Sequence, residues 1–375
     1  MKKKIIRIST VPLSLDLLLK GQLKKLSESY EVIAVSSPGE GLKVVAQREG
    51  VQTRAISMER RISPFKDIIS LFNLIQLFRK EKPWMVHSLT PKAGLLAMTA
   101  AWLCRIPVRI HLFTGLVFPT TKGLKKRILI ITDKITCLFA THIQPEGKGV
   151  QQDLIRYNIT KKPLNIIGNG NINGIDLSYF NRSLDVMKEA NKIRKEDLTT
   201  FCFVGRLVGD KGIRELIESF QLLYNENKNV RLLLIGSEEP EYDPLPSKIL
   251  EIIKQHPAIN WEGWQSDIRP YLAASDVFVF PSYREGFPNV VIQAGAMELP
   301  CIVTNINGCN EIIKNGINGI IIPSKDIDAL YQSMKITSDS KIRQAMASNA
   351  RNMIAERYEQ QYVWRKLEEW YKTLE

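Results

Sequence analysis

Two doubly wound α/β domains in series are predicted for this chain of 375 residues, on three observations. Apolar runs of strand length alternate with helical patterns through both halves, the order that builds a parallel sheet covered by helices. The length suits two domains, and the apolar fraction of 44% and charged fraction of 24% are those of a folded globular protein. A stretch rich in Gly and Asn, PLNIIGNGNINGIDLSYF, interrupts the alternation near the middle. It sets a boundary near residue 173, giving domains of 1–173 and 174–356, with a last segment, 357–375, returning to the first.

In the first half the strand candidates are KIIRIST, EVIAVSS, MVHSL and VRIHLFT. The opening MKKKIIRIST starts like a signal peptide, but Arg7 interrupts the apolar stretch and no small-residue cleavage site follows, so it reads as a first strand. AGLLAMTAAWLC, residues 93–104, falls short of the roughly 18 apolar residues that span a bilayer and reads as a buried helix. In GNGNING the glycines Gly168, Gly170 and Gly174 are spaced GxGxxxG with no small-residue helix behind them. The segment therefore fails as a dinucleotide-binding turn and is expected to be the interdomain hinge. In the second half the strand candidates are TFCFVGR, VRLLLIGS, VFVFPS, CIVTN and IIIPS. ERYEQQYVWRKLEEWYKTL closes the chain with Tyr358, Tyr362, Trp370 and Leu374 at helical spacing, the pattern of an amphipathic helix.

The net charge of +13 is unevenly placed: residues 1–175 hold 28 Lys and Arg against 11 Asp and Glu, leaving 24 against 28 afterwards. A cationic first half suits an anionic partner, whether membrane surface, nucleic acid or phosphorylated substrate. Its densest cluster, KGLKKRILIITDK from Lys122 to Lys134, alternates basic with apolar residues. Such a helix can lie on anionic lipid, each Lys or Arg adding about 1 kcal/mol, or it can be a core helix with a solvated basic face. Nucleic acid has only the charge in its favour, with no aromatic-interleaved basic strand, and is not expected as a partner. The five cysteines, Cys104, Cys137, Cys202, Cys301 and Cys309, are widely spaced in apolar runs and form neither a zinc nor a disulfide pattern, which suits the cytoplasm.

Chemistry concentrates in the second half. YREGFPNVVIQ, residues 283–293, follows the apolar run VFVFPS and precedes a helical pattern. A Glu-Gly-aromatic-Pro turn there brings one carboxylate, Glu285, and backbone N–H groups to the positive end of a helix, a site for a sugar joined to a phosphate. Counting the eight residues from Glu285 to Gln293 as helix puts the second about 12 Å further along the axis, so the two can grip both ends of an extended ligand. FVGRLVGDKG, residues 203–212, is a strand, a short turn from Gly205, and Lys211-Gly212 opening a helix. Arg206 and Lys211 on that loop can reach one diphosphate, the first as a bidentate fork and the second as a point charge. Gly236, after another strand, lets the chain pass close to a ligand. Asp326 and Asp328 form an Asp-x-Asp that reads as a helix cap, and no metal site is apparent.

Together these segments resemble the family-4 retaining glycosyltransferases, and the resemblance covers nearly the whole chain. It implies the GT-B architecture, two Rossmann-like doubly wound domains facing across a cleft, with the last helix crossing back onto the first. YREGFPNVVIQ is similar to the family's Glu-x7-Glu signature, which implies that Glu285 contacts the donor sugar and residue 293 the nucleotide ribose. Here that second position is Gln293, which keeps an acceptor oxygen but loses the charge, weakening the ribose contact by about 1 kcal/mol. Arg206 and Lys211, with four residues between them, resemble the family's GR-x5-K element one residue shortened, which implies stabilisation of the departing nucleoside diphosphate. Gly286, Phe287, Pro288, Asn289 and Val290 would surround the donor, with amides at Phe287, Asn289 and Val290. The segment around Gly263 and Trp264 resembles the one framing the base; Trp264 stacks on the base or packs in the domain. In the first half Gly21 would admit substrate after strand one. Where the family commonly has a His before the Gly of RIHLFTG, this chain has Thr114, with His111 three residues earlier either as the candidate to orient the acceptor or act in catalysis, or as a satisfied core histidine.

The resemblance thus implies transfer of a hexose or N-acetylhexosamine from a nucleoside diphosphate sugar, with UDP as the expected nucleotide. The acceptor would be a glycan, carried on a polyprenyl pyrophosphate, in capsule or O-antigen assembly. No cofactor or metal is expected, and the enzyme would be cytoplasmic and peripheral on the inner membrane face, an anionic surface. A nucleotide-sugar 2-epimerase of the same architecture and a non-catalytic partner of another transferase are the alternatives; the departures at Gln293 and Thr114 motivate the latter.

Overall fold

The computed structural model describes residues 2–59, 63–239 and 243–375. Residues 240–242 of the segment IGSEEPEYD and the first Met of MKKKIIRIST lie outside them. The chain divides into two compact units, Met1–Gly174 with Gln360–Glu375, and Ile175–Glu359.

Unit 1 runs β1 (Lys4–Ile8), α1 (Pro12–Leu18), α2 (Gln22–Ser27), β2 (Glu31–Ser36), α3 (Glu40–Glu49), β3 (Gln52–Ala55), α4 (Pro64–Glu81), β4 (Met85–Ser88), α5 (Pro91–Leu103), β5 (Val108–Phe113), α6 (Gly123–Phe139), β6 (His142–Pro145) and α7 (Lys148–Arg156). Unit 2 runs α8 (Leu184–Ile193), β7 (Thr199–Val204), α9 (Ile213–Glu226), β8 (Val230–Ile235), α10 (Ser247–Gln255), β9 (Ile259–Trp261), α11 (Arg269–Ala273), β10 (Val277–Phe280), α12 (Asn289–Ala296), β11 (Cys301–Thr304), α13 (Cys309–Ile312), β12 (Gly319–Ile322), α14 (Ile327–Ser338) and α15 (Ser340–Tyr358). A last helix, α16 (Gln360–Thr373), belongs to unit 1.

Each unit holds a six-stranded parallel sheet, ordered β3-β2-β1-β4-β5-β6 in the first and β12-β11-β10-β7-β8-β9 in the second. Central strands of such a sheet are covered on both faces and so read as unbroken apolar runs. VFVF of β10 and VRLLLI of β8 are buried throughout. In unit 2 the rings of Phe203 and Phe280 stack with centroids 6.0 Å apart, each fully buried Phe contributing about 1.5–3 kcal/mol. Unit 1 buries one cluster under α4, α5 and α6, including Leu74, Phe78, Leu96 and Ala100. On the other sheet face a second cluster, including Leu15, Leu23 and Val45, takes in Leu367 and Tyr371 of α16.

In both sheets the connections reverse direction once, between β1 and β4 and between β7 and β10. Loops leaving the two strands diverge there, and the crevice at the carboxyl ends of the strands is where ligands bind in open α/β sheets.

The end of the chain differs from the single helix expected over 357–375. Helix α15 stops at Tyr358, because Glu359 is extended (φ −56°, ψ 135°) and bridges to Ile175 in parallel. The Tyr358 ring is thereby held in unit 2, edge-on to Phe287 with centroids 5.5 Å apart. The boundary glycine is braced by its neighbours: Asn171 Oδ1 accepts from the Gly174 amide at 2.8 Å, and Asn173 Oδ1 accepts from Trp364 Nε1 of α16 at 2.7 Å.

The close approach of β7 to β8 rests on Gly236, whose φ is +139° and whose added Cβ would fall 1.9 Å from the Gly205 carbonyl oxygen. Gly236→Ala is expected to destabilise unit 2 by about 2–4 kcal/mol, since backbone has to move. Gly263→Ala, at φ +66° with open space around it, should cost only about 1–2 kcal/mol. Calorimetric melting of the two variants checks the difference.

Candidate functional site

The crevice between β7 and β10 is built from two loops. The first, Gly205–Gly212, ends in a short turn, Gly209–Lys211, before α9. The second, Pro281–Pro288, runs from β10 to α12. They meet where Gly212 has no side chain: at φ +70°, a Cβ there would lie 2.1 Å from the Pro281 carbonyl oxygen. Further ties follow, from the Tyr283 amide to the Asp210 carbonyl at 2.8 Å and from Arg284 to the Asp210 carboxylate at 3.1 Å.

Lys211 and Glu285 are thereby brought together. Lys211 Nζ donates to Glu285 Oε1, both side chains being mostly buried. Ser282, fully buried, donates its hydroxyl to the same carboxylate oxygen at 2.8 Å and gives its own carbonyl to the hydroxyl of Thr304. The Lys211 ammonium also sits 5.4 Å from the centroid of the Phe280 ring. A carboxylate so held is aimed rather than mobile, and the cation beside it is desolvated enough to act strongly on an incoming anion.

Helix α12 starts at Asn289, so Glu285 precedes the helix instead of riding on its first turn. The helical rise therefore covers only the four residues from Asn289 to Gln293, about 6 Å rather than 12 Å. The misreading came from Pro288, which ends the extended turn and can only open a helix behind it. Among the described residues the amides of Glu285, Gly286, Phe287 and Val290 have no acceptor, whereas Asn289 is engaged within the protein. Consecutive unpaired amides before a helix N-terminus form an anion-binding concavity. Phe287, Pro288 and Gly286 are themselves buried, with Gly308 against the Gly286 carbonyl.

Around this centre Arg206 is half-exposed and pairs with Glu239 at 2.9 Å. The Gly236 amide donates to the Gly263 carbonyl at 2.7 Å, and Trp261 Nε1 donates to the Gly236 carbonyl at 2.8 Å, closing the β8 and β9 loops together. Trp261 is the packing tryptophan of that pair, since Trp264 is 71% exposed. Gln293, partly exposed on α12, makes no side-chain hydrogen bond among the described residues. Ser282, Asp210 and Thr304 were missed by sequence reasoning; the only sign of them was position, Ser282 one residue beyond the Pro281 that follows β10 and Asp210 beside Lys211.

In unit 1 the candidates scatter. His111 lies inside β5, 1% exposed, with Nδ1 2.8 Å from Ser88 Oγ and its ring against the place a Gly94 side chain would fill. Burial lowers its pKa to about 3, so it is a neutral imidazole packed in the core and away from any surface. Gly21 joins α1 to α2 at φ +80°, and a Cβ there would meet the Trp364 ring at 2.8 Å. Its missing side chain makes room for a tryptophan of α16 and not for a substrate. Thr114 leaves the end of β5 and stays partly exposed. At the β1/β4 reversal, unnoticed in the sequence, Thr10 and Thr90 share a hydrogen bond of 2.7 Å between hydroxyls, with the Thr10 amide on Thr90 Oγ1 at 2.9 Å. Asp326 caps α14, accepting from the Ala329 amide at 2.8 Å. Among the described residues no His, Cys, Asp and Glu cluster of metal-holding geometry occurs.

Comparison with known proteins matches residues 186–353 to the model of glycosyl transferases group 1 and residues 21–170 to that of the glycosyl transferase 4-like domain. The chain is 36% identical over 374 residues to the capsular polysaccharide biosynthesis glycosyltransferase CapM of Staphylococcus aureus, covering 99% of this chain and 97% of that one. It is 30% identical over 310 residues to the UDP-Gal:alpha-D-GlcNAc-diphosphoundecaprenol alpha-1,3-galactosyltransferase of Escherichia coli, 79% of this chain and 76% of that one. Among solved structures HepE of Anabaena, in complex with UDP and glucose, superposes with a TM-score of 0.83 at 16% identity, covering 99% of this chain and all 100% of HepE. Its likeness is one of fold, the GT-B architecture.

The buried imidazole has a consequence for stability. The unfolded chain binds a proton at His111 near pH 6.5 and the folded unit only near pH 3. Its contribution is complete above pH 6.5 and is lost as pH falls through the interval, about 2 kcal/mol between pH 7 and pH 5. His87, also depressed by burial, acts in the same direction. Urea unfolding at the two pH values should show a smaller loss for His111→Gln than for the unaltered chain.

Proposed function

Given that the chain belongs to the glycosyl transferase family with a group 1 and a 4-like domain, we propose that it transfers a hexose or N-acetylhexosamine, with retention, from a UDP-sugar to a lipid-linked glycan acceptor in cell-surface polysaccharide assembly. The observation that carries this reading is the Lys211–Glu285 pair at the reversal of the second sheet, beside unpaired amides. The named functions of the Staphylococcus aureus and Escherichia coli relatives support the process and the acceptor class, and the nucleotide of the HepE complex supports UDP.

In this reading the donor lies in unit 2. The bond between the anomeric carbon and the diphosphate oxygen breaks, and negative charge grows on the diphosphate. Lys211, Arg206 and the amides of Gly286, Phe287 and Val290 meet that charge, an arrangement that lowers the barrier because the dipoles are already oriented. Diphosphate binding draws Lys211 partly from Glu285, which frees the carboxylate, still held by Ser282, to accept from a sugar hydroxyl. The acceptor oxygen bonds to the anomeric carbon on the face the diphosphate leaves, and the acceptor proton passes to the leaving phosphate oxygen. Glu285 orients the sugar and does not attack it. Gln293 accepts from the ribose and Trp264 stacks on the base. With an acceptor anchored in lipid, the enzyme works at the cytoplasmic surface of a membrane.

A thermal-shift panel of UDP, GDP, ADP and their common sugars tests the donor; stabilisation by a UDP-sugar over the others is expected, and indifference to all would refute the reading. Glu285→Gln should lower kcat about 100-fold with UDP affinity nearly unchanged. Lys211→Met together with Arg206→Met should weaken UDP binding and abolish transfer. Gln293→Glu should tighten donor binding by up to about fivefold, in line with roughly 1 kcal/mol for a charged acceptor.

A further inference from the structure

The loop that leaves β8 beside the crevice reads GSEEPEYD, residues 236–243, four acids in eight positions. Next to a cradle for a diphosphate this is the wrong sign of charge, and one of these acids lies directly on a cation of that cradle. The β8 loop is joined to the Lys211 loop near its start, where the Leu207 amide donates to the Ser237 carbonyl at 2.9 Å and Leu207 bridges to Glu238 in parallel. It is tied again further on, the Asp210 amide donating to the Asp243 carboxylate at 2.7 Å and the Gly209 amide to the Asp243 carbonyl at 3.2 Å. The first tie sets Glu239 against Arg206, whose Nη1 donates to Glu239 Oε2 at 2.9 Å.

Three cations stand on the two loops of the crevice, and each carries a carboxylate: Arg206 with Glu239, Lys211 with Glu285 and Arg284 with Asp210. These pairs leave the cradle close to neutral, whereas a nucleoside diphosphate brings several negative charges of its own. The carboxylate most readily given up is Glu239. Glu285 is mostly buried and is also held by Ser282, and Asp210 is fixed through its amide and its carbonyl to the loops on either side. The Arg206–Glu239 pair is the most exposed of the three, its side chains 47% and 35% accessible, and a pair so exposed is weak. Its single bond comes from Nη1, where a phosphate can take two guanidinium nitrogens at once in a fork. Two anions on one guanidinium repel, so a phosphate on Arg206 displaces the glutamate.

We infer that Glu239 is a resident competitor for the donor diphosphate: it occupies Arg206 until a nucleoside diphosphate takes its place and returns as the product leaves, setting the affinity of both. The inference deepens the proposed function and rests on it, since there Arg206 meets the diphosphate. Its consequence lies at the end of the cycle. UDP keeps both phosphates after the sugar has gone, so the contacts that lower the barrier also hold the product, and release is often the slow step of such enzymes. A carboxylate tethered beside Arg206 is an intramolecular rival at high effective concentration, which shortens the stay of the product.

Calorimetric titration of UDP into the full chain and its variants tests it. Glu239→Gln keeps the size of the side chain and removes only its charge, and it should tighten UDP binding about two- to fivefold, the range an exposed ion pair allows. In the Arg206→Met background the same change should alter UDP affinity by less than about 1.5-fold, since the group competed for is gone. Glu238→Gln, one residue earlier and in no ion pair among the described residues, should also alter it by less than about 1.5-fold, because its charge acts only through screening solvent. Unchanged or weaker UDP binding by Glu239→Gln would overturn the inference, the weaker case meaning that the carboxylate itself serves the nucleotide. A gain of equal size in the Arg206→Met background, or from Glu238→Gln, would overturn it too, as a diffuse effect of charge. No binding of UDP to the unaltered chain would overturn the donor reading and this inference with it, whereas UDP binding that Glu239→Gln fails to tighten leaves the donor reading standing.

Discussion

The carboxyl edge of the second sheet depends on loops that touch where side chains are missing. Gly236 presses on the Gly205 carbonyl, Gly212 on that of Pro281 and Gly308 on that of Gly286, so the loops of four adjacent strands are held at backbone contact. That spacing lets the short reach from Lys211 to Glu285 be made across a reversal where the chain connections diverge. A Cβ at Gly212, the seam between the loops of Lys211 and Glu285, would force those two loops and their charges apart. The ion pair is a product of backbone proximity, and Ser282 only sharpens its aim.

Unit 1 is organised around a different problem, a cation in a core. Arg7 of β1 is fully buried, its Nη1 bonded to Gln22 Oε1 at 2.9 Å and to the Tyr371 hydroxyl at 3.1 Å. The same hydroxyl lies 2.6 Å from His87 Nδ1. Burial lowers the pKa of both Arg7 and His87, and the Arg7 Nε and Nη2 and His87 Nε2 have no partner among the described residues. With so little to compensate a buried guanidinium, the bonds from Gln22 and Tyr371 matter more than their number suggests. One of the two comes from α16, the last helix.

Much of this was legible in sequence because the central strands of a parallel sheet have no choice of composition. KIIRI, VRLLLI and VFVF announce themselves, and so do the Gly-Asn boundary and the carboxylate and cations of the two loops. What stayed hidden was at the margins. Three of the four edge strands, QTRA, HIQP and INW, are short and partly polar because one of their sides faces no neighbour, which leaves no periodic signal to read. For His111 the sequence leaves an acceptor-side role and a core position both open, because chain position, and not direction, is what a sequence displays; in β5 it is buried in the core. Gly21 looked like an opening because an absent side chain does not say what fills the space. The exposed phenylalanines and isoleucines of α4, Phe65, Ile68, Ile69 and Phe72, carried no sign of their exposure, since an apolar helical stripe is the same string whether it faces a sheet or solvent.

Because α16 completes unit 1 from the far end of the chain, the order of synthesis and the order of folding part company. Ile175–Glu359 is contiguous and can close while still being made. The first 174 residues leave the ribosome earlier yet wait, with Arg7 lacking the Tyr371 hydroxyl and Gly21 and Asn173 uncovered by Trp364, until residues 360–375 arrive. During that interval the nascent chain carries an unsealed, cationic half-domain, and a ribosome that stopped short of residue 360 would release a protein whose later half is finished and whose earlier half is not.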